Sequence, residues 1–430
     1  MTRIDKTTYL ILGNSTAAVN AVEAIRERDR EGSMVVVARE PQHVYSRPLI
    51  SYRLAGKVDD ARMDYRDRAF YERNNVQPLL GVAAVNVDAE ARAVSLSDGR
   101  RIEFEKLLIA TGGAPIRPPI PGLDARGVFT FTTWADEQAI DKYIEANKVR
   151  AAVVLGGGLI GLKTVEALVD RDVPVTVVEL ADRILAVTFD KDAARLAEKA
   201  LAEKGVGIRT GETIREVFAD GGKVSAVLLS NGEGLDCDLL IVAIGVRPDL
   251  SVVAGSGIKT DRGILVDTHM ATSVDGIYAA GDVAQALDAL SGQSRPIPIL
   301  PAAARQGRIV GANMAGGDAT YEGGVPMNAV DVVGLPTISV GQTVQQEGDE
   351  VLARLDEKNR TYRKLVIRGN RIIGAIFIGR IERAGIFTGL IRSRLDVSDF
   401  KHLLLSDEFG LLSLPADYRS HMVRGAGIEV

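Results

Sequence analysis

Gly156, Gly158 and Gly161 stand at the spacing Gly-x-Gly-x-x-Gly behind an apolar run, Ala151 to Leu155. Glycines at that spacing can receive a pyrophosphate. The first permits a tight turn off a strand, the second lets phosphate oxygens approach the backbone with no Cβ in the way, and the third lets a helix pack closely on the strand. The start of that helix then offers unpaired N–H groups and a partial positive charge. Glu179 closes the next apolar run, 18 residues beyond Gly161, near the distance at which a carboxylate accepts hydrogen bonds from an adenosine ribose. A carboxylate there repels a 2′-phosphate and so favours NAD over NADP, while the nearby Arg183 pulls the other way. A turn without ligand and a solvated strand-end glutamate are the plain alternatives.

A second set of small residues follows the apolar run Thr8 to Leu12, with Gly13 at the first position, Ser15 at the second and Ala18 at the third. Alanine is accepted at the third position. Serine at the second adds a side chain facing the phosphate, although its hydroxyl can donate a hydrogen bond. The acidic partner is displaced too: Met34 to Val37 runs into Ala38-Arg39-Glu40, so Glu40 is the nearest carboxylate, one residue late. Three later segments restore the reading through their order. Leu107 to Gly113 is a buried strand ending at Thr111-Gly112. Asp238 to Gly245 repeats that form and continues Val246-Arg247-Pro248-Asp249, and Gly276 to Asp282 delivers an acid beside Gly281. Asp282 can bond the ribityl or ribose hydroxyls of a flavin, or simply cap a turn.

The elements that must hold these residues are two copies of one layout. Strand Thr8–Leu12, a helix to about Arg30 and strand Met34–Val37 form the first; strand Ala151–Leu155, a helix to about Val169 and strand Pro174–Glu179 form the second. Such strand–helix–strand units build parallel sheets. Beyond about Gly324 the pattern changes to strands with aromatic content and then helices, which predicts a separate C-terminal domain. The length of 430 residues fits two or three domains. Hydrophobic residues at 46% and charged residues at 25% describe an ordinary folded chain.

No apolar run of 18 residues occurs, and Arg3, Asp5 and Lys6 stand at the start, so neither a membrane span nor a secretory signal is expected. A net charge of −5 gives no reason to expect nucleic-acid binding. With Cys237 as the single cysteine, no internal disulfide and no cysteine-held zinc or iron–sulfur site is available. His43, His269, His402 and His421 show no metal-ligand spacing, and a cytoplasmic location is expected.

In this order the motifs resemble the two-dinucleotide-fold family of FAD- and NAD(P)-dependent pyridine nucleotide oxidoreductases, and within it the rubredoxin, ferredoxin and nitrite reductase-type group. The likeness rests on the first fingerprint, Glu40-Pro41 with Tyr45-Ser46-Arg47-Pro48-Leu49, Ala110-Thr111-Gly112, the Gly156–Gly161 fingerprint with Glu179, Gly245-Val246-Arg247-Pro248, and Gly281-Asp282. A helix from about Pro301 through Arg305-Gln306-Gly307 continues it. The resemblance implies an α/β fold with two Rossmann-like dinucleotide-binding domains and a small α+β C-terminal domain. An FAD domain would occupy 1–122 and 245–325, with an NAD domain inserted over 123–244 and an interface domain over 326–430.

It further implies that Gly13, Ser15, Ala18, Glu40, Arg47, Pro48, Thr111, Gly112, Gly281 and Asp282 border FAD, and that Val82 meets the adenine through its backbone. Gly156, Gly158, Gly161, Glu179 and Gly245 would border NAD. The nicotinamide and flavin rings would stack, with hydride passing between nicotinamide C4 and flavin N5 and the helix near Pro301 aiming its positive end at the flavin. Electrons would be exchanged with an iron–sulfur, ferredoxin-like protein or subunit in a hetero-oligomeric complex. A narrower likeness is to the NAD-reducing flavoprotein subunit of a 2-oxo acid dehydrogenase. A cysteine-free NADH oxidase reducing O₂ and a flavin-binding scaffold without turnover are the rival expectations.

Three departures qualify this. Many relatives carry a redox-active cysteine where this chain reads Tyr45 to Ser51, and thiol mechanisms need a thiolate near the flavin; Cys237 reads as a small core residue. Relatives often place Glu where Lys163 stands. Lys163 would stabilise reduced flavin or bias electrons toward NAD⁺, or else reach solvent as an ordinary helix lysine. Between Val351 and Val430, 14 Lys and Arg oppose 9 Asp and Glu, a net +5 that falls to +2 if the boundary moves to Glu347. A basic face of that kind can steer an acidic partner. The leucines at 403–405 and 411–414 suit either core or an interface.

Overall fold

The computed structural model describes residues 5–416, 418 and 419; His421 and the other closing residues of the expected C-terminal domain lie outside them. Strand Lys6–Leu12 pairs in parallel with Met34–Ala38 on one side and Arg101–Ile109 on the other. Both runs are rich in valine, leucine and isoleucine and almost wholly buried, as strands are when helices cover both faces of a parallel sheet. The full order is Val76–Leu80, Met34–Ala38, Lys6–Leu12, Arg101–Ile109, Ala93–Leu96, Ala84–Asp88. Ile277–Ala279 adds in parallel beside Leu107 to Ile109. The first sheet thus draws on two stretches far apart in sequence.

Between those stretches lies a second sheet, all parallel, in the order Gly207–Thr210, Val175–Glu179, Ala152–Leu155, Leu239–Val242, Val128–Thr130. An antiparallel ribbon of Gly113–Pro115 against Val246–Pro248 brings the outgoing and returning chain together. Helices Thr16–Arg26 and Leu300–Met314 pack on each other at close range: a Cβ on Gly307 would stand 2.2 Å from the Ala17 carbonyl oxygen, and one on Gly311 would stand 2.4 Å from that of Ala21.

The first helix ends at Arg26, short of the expected Arg30. Asp29 is the reason. Its Oδ1 accepts from the N–H groups of Glu31 and Gly32, and its Oδ2 accepts from the Tyr9 hydroxyl at 2.7 Å. A carboxylate that bonds its own following backbone turns the chain rather than prolonging the helix.

The C-terminal region is an antiparallel sheet in the order Met327–Val332, Leu335–Gly341, Arg371–Ile378, Thr361–Arg368, Glu350–Asp356, with helix Ala384–Ser393 following. One side of it joins the core of the second parallel sheet through Val332, Leu335, Tyr362, Ile376 and Ile378. Tyr362 and Lys364 both reach Asp190, at 2.7 and 2.9 Å. The leucine stretches divide: Leu404 and Leu414 are core, whereas Leu403, Leu411 and Leu412 face solvent.

Candidate functional site

Each glycine turn is forced by its sheet. Gly13 has φ +121° and donates to the Val37 carbonyl at 2.8 Å; a Cβ there would lie 2.1 Å from the Ala110 carbonyl oxygen. Gly156 has φ +114° and donates to Val178 at 2.8 Å; a Cβ there would lie 2.4 Å from the Ala243 carbonyl oxygen. At both places the next parallel strand passes too close for a side chain. A Cβ on Gly158 would meet nothing within 4 Å, so that position is open for a phosphate group. Ser15, its counterpart, makes no capping bond to its own helix. Gly161 and Ala18 turn inward: a Cβ on Gly161 would stand 1.9 Å from the Gly156 carbonyl oxygen, and Ala18 is buried.

The strand ends differ. Glu179 follows Val178, and its carboxylate accepts from the Gly157 N–H at 2.6 Å and the Ala181 N–H at 2.8 Å. By the matching registers, Leu12 with Val37 and Leu155 with Val178, the residue equivalent to Glu179 is Ala38. Glu40 lies two residues further on, and Tyr45 and Arg47 take up its carboxylate. Arg183, which sequence alone set against Glu179, is spent on its own loop through Asp182 and the carbonyls of Ala186 and Phe189.

Arg47 sits on the segment before helix Leu49–Leu54 and also donates to the Thr132 carbonyl at 2.8 Å, bridging toward the second parallel sheet. Burial pushes the Asp282 carboxyl up, and Arg47 draws it partly back. The Gly281 N–H donates to Gln306 on the helix Leu300–Met314, at 2.8 Å. That helix carries Pro301 in its first turn, where no N–H is needed.

Both turns open on one cavity of about 1830 Å³. Of the residues singled out from sequence, its wall holds Gly13, Ser15, Glu40, Arg47, Pro48, Thr111, Gly112, Gly156, Gly158, Lys163, Glu179, Gly245, Gly281 and Asp282. Ala18, Gly161 and Val82 are not on it; the Val82 N–H is taken by the Ala38 carbonyl at 2.9 Å, and Ala83 and Ala84 form the wall there instead. Sequence reasoning missed Asp249, whose carboxylate holds Ser251 and Arg39, Asn328 and Ser339 from the C-terminal sheet, and Gln342 just past the strand Leu335–Gly341. The run through Pro248-Asp249 hinted at the first; no local pattern marks the others.

Lys163 is tethered. Its Nζ lies 2.5 Å from Glu166 Oε2 and 3.0 Å from the Asp331 carbonyl, with the Tyr52 ring centre at 5.4 Å. Cys237 is buried among Val128, Val153, Val227 and Leu240, and burial, with Asp238 and Asp236, pushes its thiol up to about 12. Such a thiol carries no thiolate for redox work. Among the described residues no helix is long and apolar enough to cross a membrane, and no three His, Cys, Asp or Glu side chains group as a metal site.

Two glycine turns on parallel sheets open on a common cavity, the layout of a fold that binds two dinucleotides. Residues 7–307 match the model of the pyridine nucleotide-disulphide oxidoreductases, and residues 326–395 match the rubredoxin NAD⁺ reductase C-terminal domain. The chain belongs to the pyridine nucleotide-disulphide oxidoreductase family, and it is an FAD-dependent oxidoreductase of NAD(H). It is 38% identical over 403 residues to the NADH-dependent phenylglyoxylate dehydrogenase subunit epsilon of Aromatoleum evansii, covering 93% of this chain and 94% of that one. It is 29% identical to the rubredoxin-NAD(+) reductase of Pseudomonas putida, covering 89% of this chain and 98% of that one. Among solved structures it resembles the covalent putidaredoxin reductase–putidaredoxin complex, with a TM-score of 0.84 and 27% identity over 92% of this chain and 94% of that one. Family, fold class and cofactors are those the motifs implied.

Proposed function

We propose that the chain holds FAD at the Gly13 turn and NAD(H) at the Gly156 turn, and passes electrons between NAD(H) and an iron–sulfur protein or subunit. The observation that carries this is the shared cavity. Its volume of about 1830 Å³ exceeds the roughly 300–1,000 Å³ of a site for one small ligand, and the one thiol lies buried elsewhere. Bound FAD supplies the chemistry, accepting two electrons as hydride and releasing them singly.

The protein's part is placement and charge. Gly13, Ser15 and the start of helix Thr16–Arg26 take the FAD pyrophosphate, and Ala18 packs behind them. Arg47, Pro48, Thr111, Gly112, Gly281 and Asp282 border the rest of the cofactor, and Glu40 fixes Arg47. Gly156, Gly158 and the helix start at Leu159 take the NAD pyrophosphate, Gly161 packs behind, Gly245 closes the wall, and Glu179 accepts from the adenosine ribose. The inward turn of Arg183 supports NAD over NADP. Likeness to the epsilon subunit supports the narrower reading, a cytoplasmic flavoprotein subunit of a 2-oxo acid dehydrogenase such as that for phenylglyoxylate. In such an assembly the oxo acid reacts on another subunit and never touches this chain.

Anaerobic titration of the holoprotein with NADH, followed by mixing with oxidised ferredoxin, rubredoxin or O₂, tests the reading. Bleaching of the flavin absorbance and fast reoxidation by an iron–sulfur protein is expected. Fast O₂ turnover instead makes the chain an oxidase, and failure to bleach makes it a scaffold. Co-purification from the native host with flavin and metal analysis tests the assembly.

A further inference from the structure

Asn328 and Ser339 stand opposite each other on the paired strands Met327–Val332 and Leu335–Gly341. Alternate residues share a face of a sheet, and theirs is the face of Val332 and Leu335, which pack into the core of the second parallel sheet. Both residues lie on the wall of the large cavity. Ser339 is only 4% exposed and Asn328 is half-buried, yet among the described residues neither side chain has a hydrogen-bond partner. The other polar groups there are occupied. Thr337, on the same face, donates to the Val330 carbonyl at 2.8 Å, and Lys163 is held by Glu166 and the Asp331 carbonyl. A buried hydroxyl beside an amide, both unpaired, is a costly arrangement for a protein that binds nothing there.

Position narrows the ligand. The strand Met327–Val332 runs between the two nucleotide units. Just before it, Gly324 bridges to Asp288, which follows Asp282 in the first unit. At its far end the Asp331 carbonyl holds Lys163, on the helix Leu159–Val169 that leads from the Gly156 turn. Asn328 stands three residues before Asp331, about 10 Å along the strand. The reacting ends of two bound nucleotides must meet between the units, away from the adenosine end that Glu179 serves.

We propose that Asn328 and Ser339 bind the carboxamide of the nicotinamide ring, and so select and orient the reacting end of NAD(H). The inference rests on NAD(H) occupying the Gly156 turn, as proposed above. A carboxamide carries one acceptor oxygen and two N–H donors. Asn328 answers with an acceptor and two donors of its own, and the Ser339 hydroxyl both donates and accepts. The flavin end has a different source, since the helix Leu300–Met314 begins with N–H groups, donors suited to ring carbonyls. Holding the carboxamide fixes the rotation of the ring, and with it the face and the carbon that are presented.

The test is calorimetric titration of the oxidised, FAD-loaded protein with three ligands. They are NAD⁺, ADP-ribose, which lacks the nicotinamide, and the acetylpyridine analogue of NAD⁺, in which a methyl replaces the carboxamide nitrogen. Wild-type protein is expected to bind the analogue about tenfold or more weaker than NAD⁺, because a site built for an N–H rejects a ligand without one. Asn328→Ala combined with Ser339→Ala is expected to raise the NAD⁺ dissociation constant about tenfold. It should weaken the analogue less, and leave ADP-ribose affinity and the flavin absorbance as they were. Equal wild-type affinity for NAD⁺ and the analogue overturns the proposal without any variant. So does a double variant whose NAD⁺ affinity is unchanged, or falls no further than its ADP-ribose affinity. A shifted flavin spectrum at unchanged NAD⁺ affinity gives the two side chains to the flavin and overturns it as well. A wild-type protein that binds neither NAD⁺ nor ADP-ribose breaks the nucleotide reading and takes this site with it; one that binds both keeps that reading whatever the variant does.

Discussion

After Leu12 and after Leu155 the backbone repeats itself closely. Each strand hands over to a glycine at positive φ, +121° and +114°, and each glycine donates to its neighbouring strand at 2.8 Å. The side chains then part company. The second turn is completed locally by Gly158, Gly161 and Glu179. The first has Ser15, Ala18 and Ala38 at those places, and draws Arg47, Asp282 and Gln306 from elsewhere in the chain. Sheet geometry dictates the common part, since a parallel neighbour leaves no room for Cβ whichever ligand is bound. Residues that meet the ligand answer only to that ligand, so they are free to differ.

Substituting the first glycines gives the largest effects. Gly13→Ala is expected to yield protein without FAD and several degrees less stable, because the left-handed conformation and a 2.1 Å clash are both imposed. Gly156→Ala should keep the flavin spectrum yet lose NADH reduction at least about a hundredfold, read by stopped flow. Equal loss of flavin in both variants would erase the distinction between the units.

Glu179→Ala comes next. Losing hydrogen bonds to a charged acceptor costs about 1.5–3 kcal/mol, so the NADH dissociation constant should rise roughly ten- to a hundredfold, with discrimination against NADPH narrowed. The reciprocal change, Ala38→Glu, installs a carboxylate at the equivalent position. It should slow FAD loss on dialysis by up to about tenfold; faster loss would show that the first unit has no room for a carboxylate there.

The seam between the units gives a smaller, pH-dependent effect. Glu137 is fully buried against Arg53, at 2.6 Å. Burial, outweighing Arg53, raises its carboxyl from an ordinary 4.5 to about 7. A carboxyl raised in the folded state favours its protonated form there. Its contribution is complete below the unfolded value and is lost as pH climbs through about 7. Wild-type Tm should therefore fall between pH 5 and 8, by at most about 3 kcal/mol in stability, and Glu137→Gln should flatten that slope. Lys163→Met should do least. With Glu166 already balancing its charge, the flavin midpoint potential is expected to move by less than about 30 mV, a tenfold change in the two-electron equilibrium. No shift with unchanged NAD⁺ reduction would remove Lys163 from the chemistry.

Much of the site was legible because it is periodic or tightly spaced. The glycine turns, Glu179, Asp282 and the helix from Pro301 each follow from a strand or helix pattern of a few residues. The helix after Gly13 was read too long because Asp29 stops it through a side-chain turn that propensity does not register. The divided fate of the leucines at 403–414 was open in sequence because alternation along an irregular segment has no fixed period.

By itself the sequence determined the two glycine turns, the absence of a thiol pair and the α/β class, since these depend on composition or on neighbours within one strand–turn–helix unit. Tertiary structure decided the rest. It set Ala38 opposite Glu179 through strand register, turned Arg183 away from the nucleotide wall, and tied Glu40 to Arg47. Charges meet through space, and which of them meet is settled only when the sheets have packed.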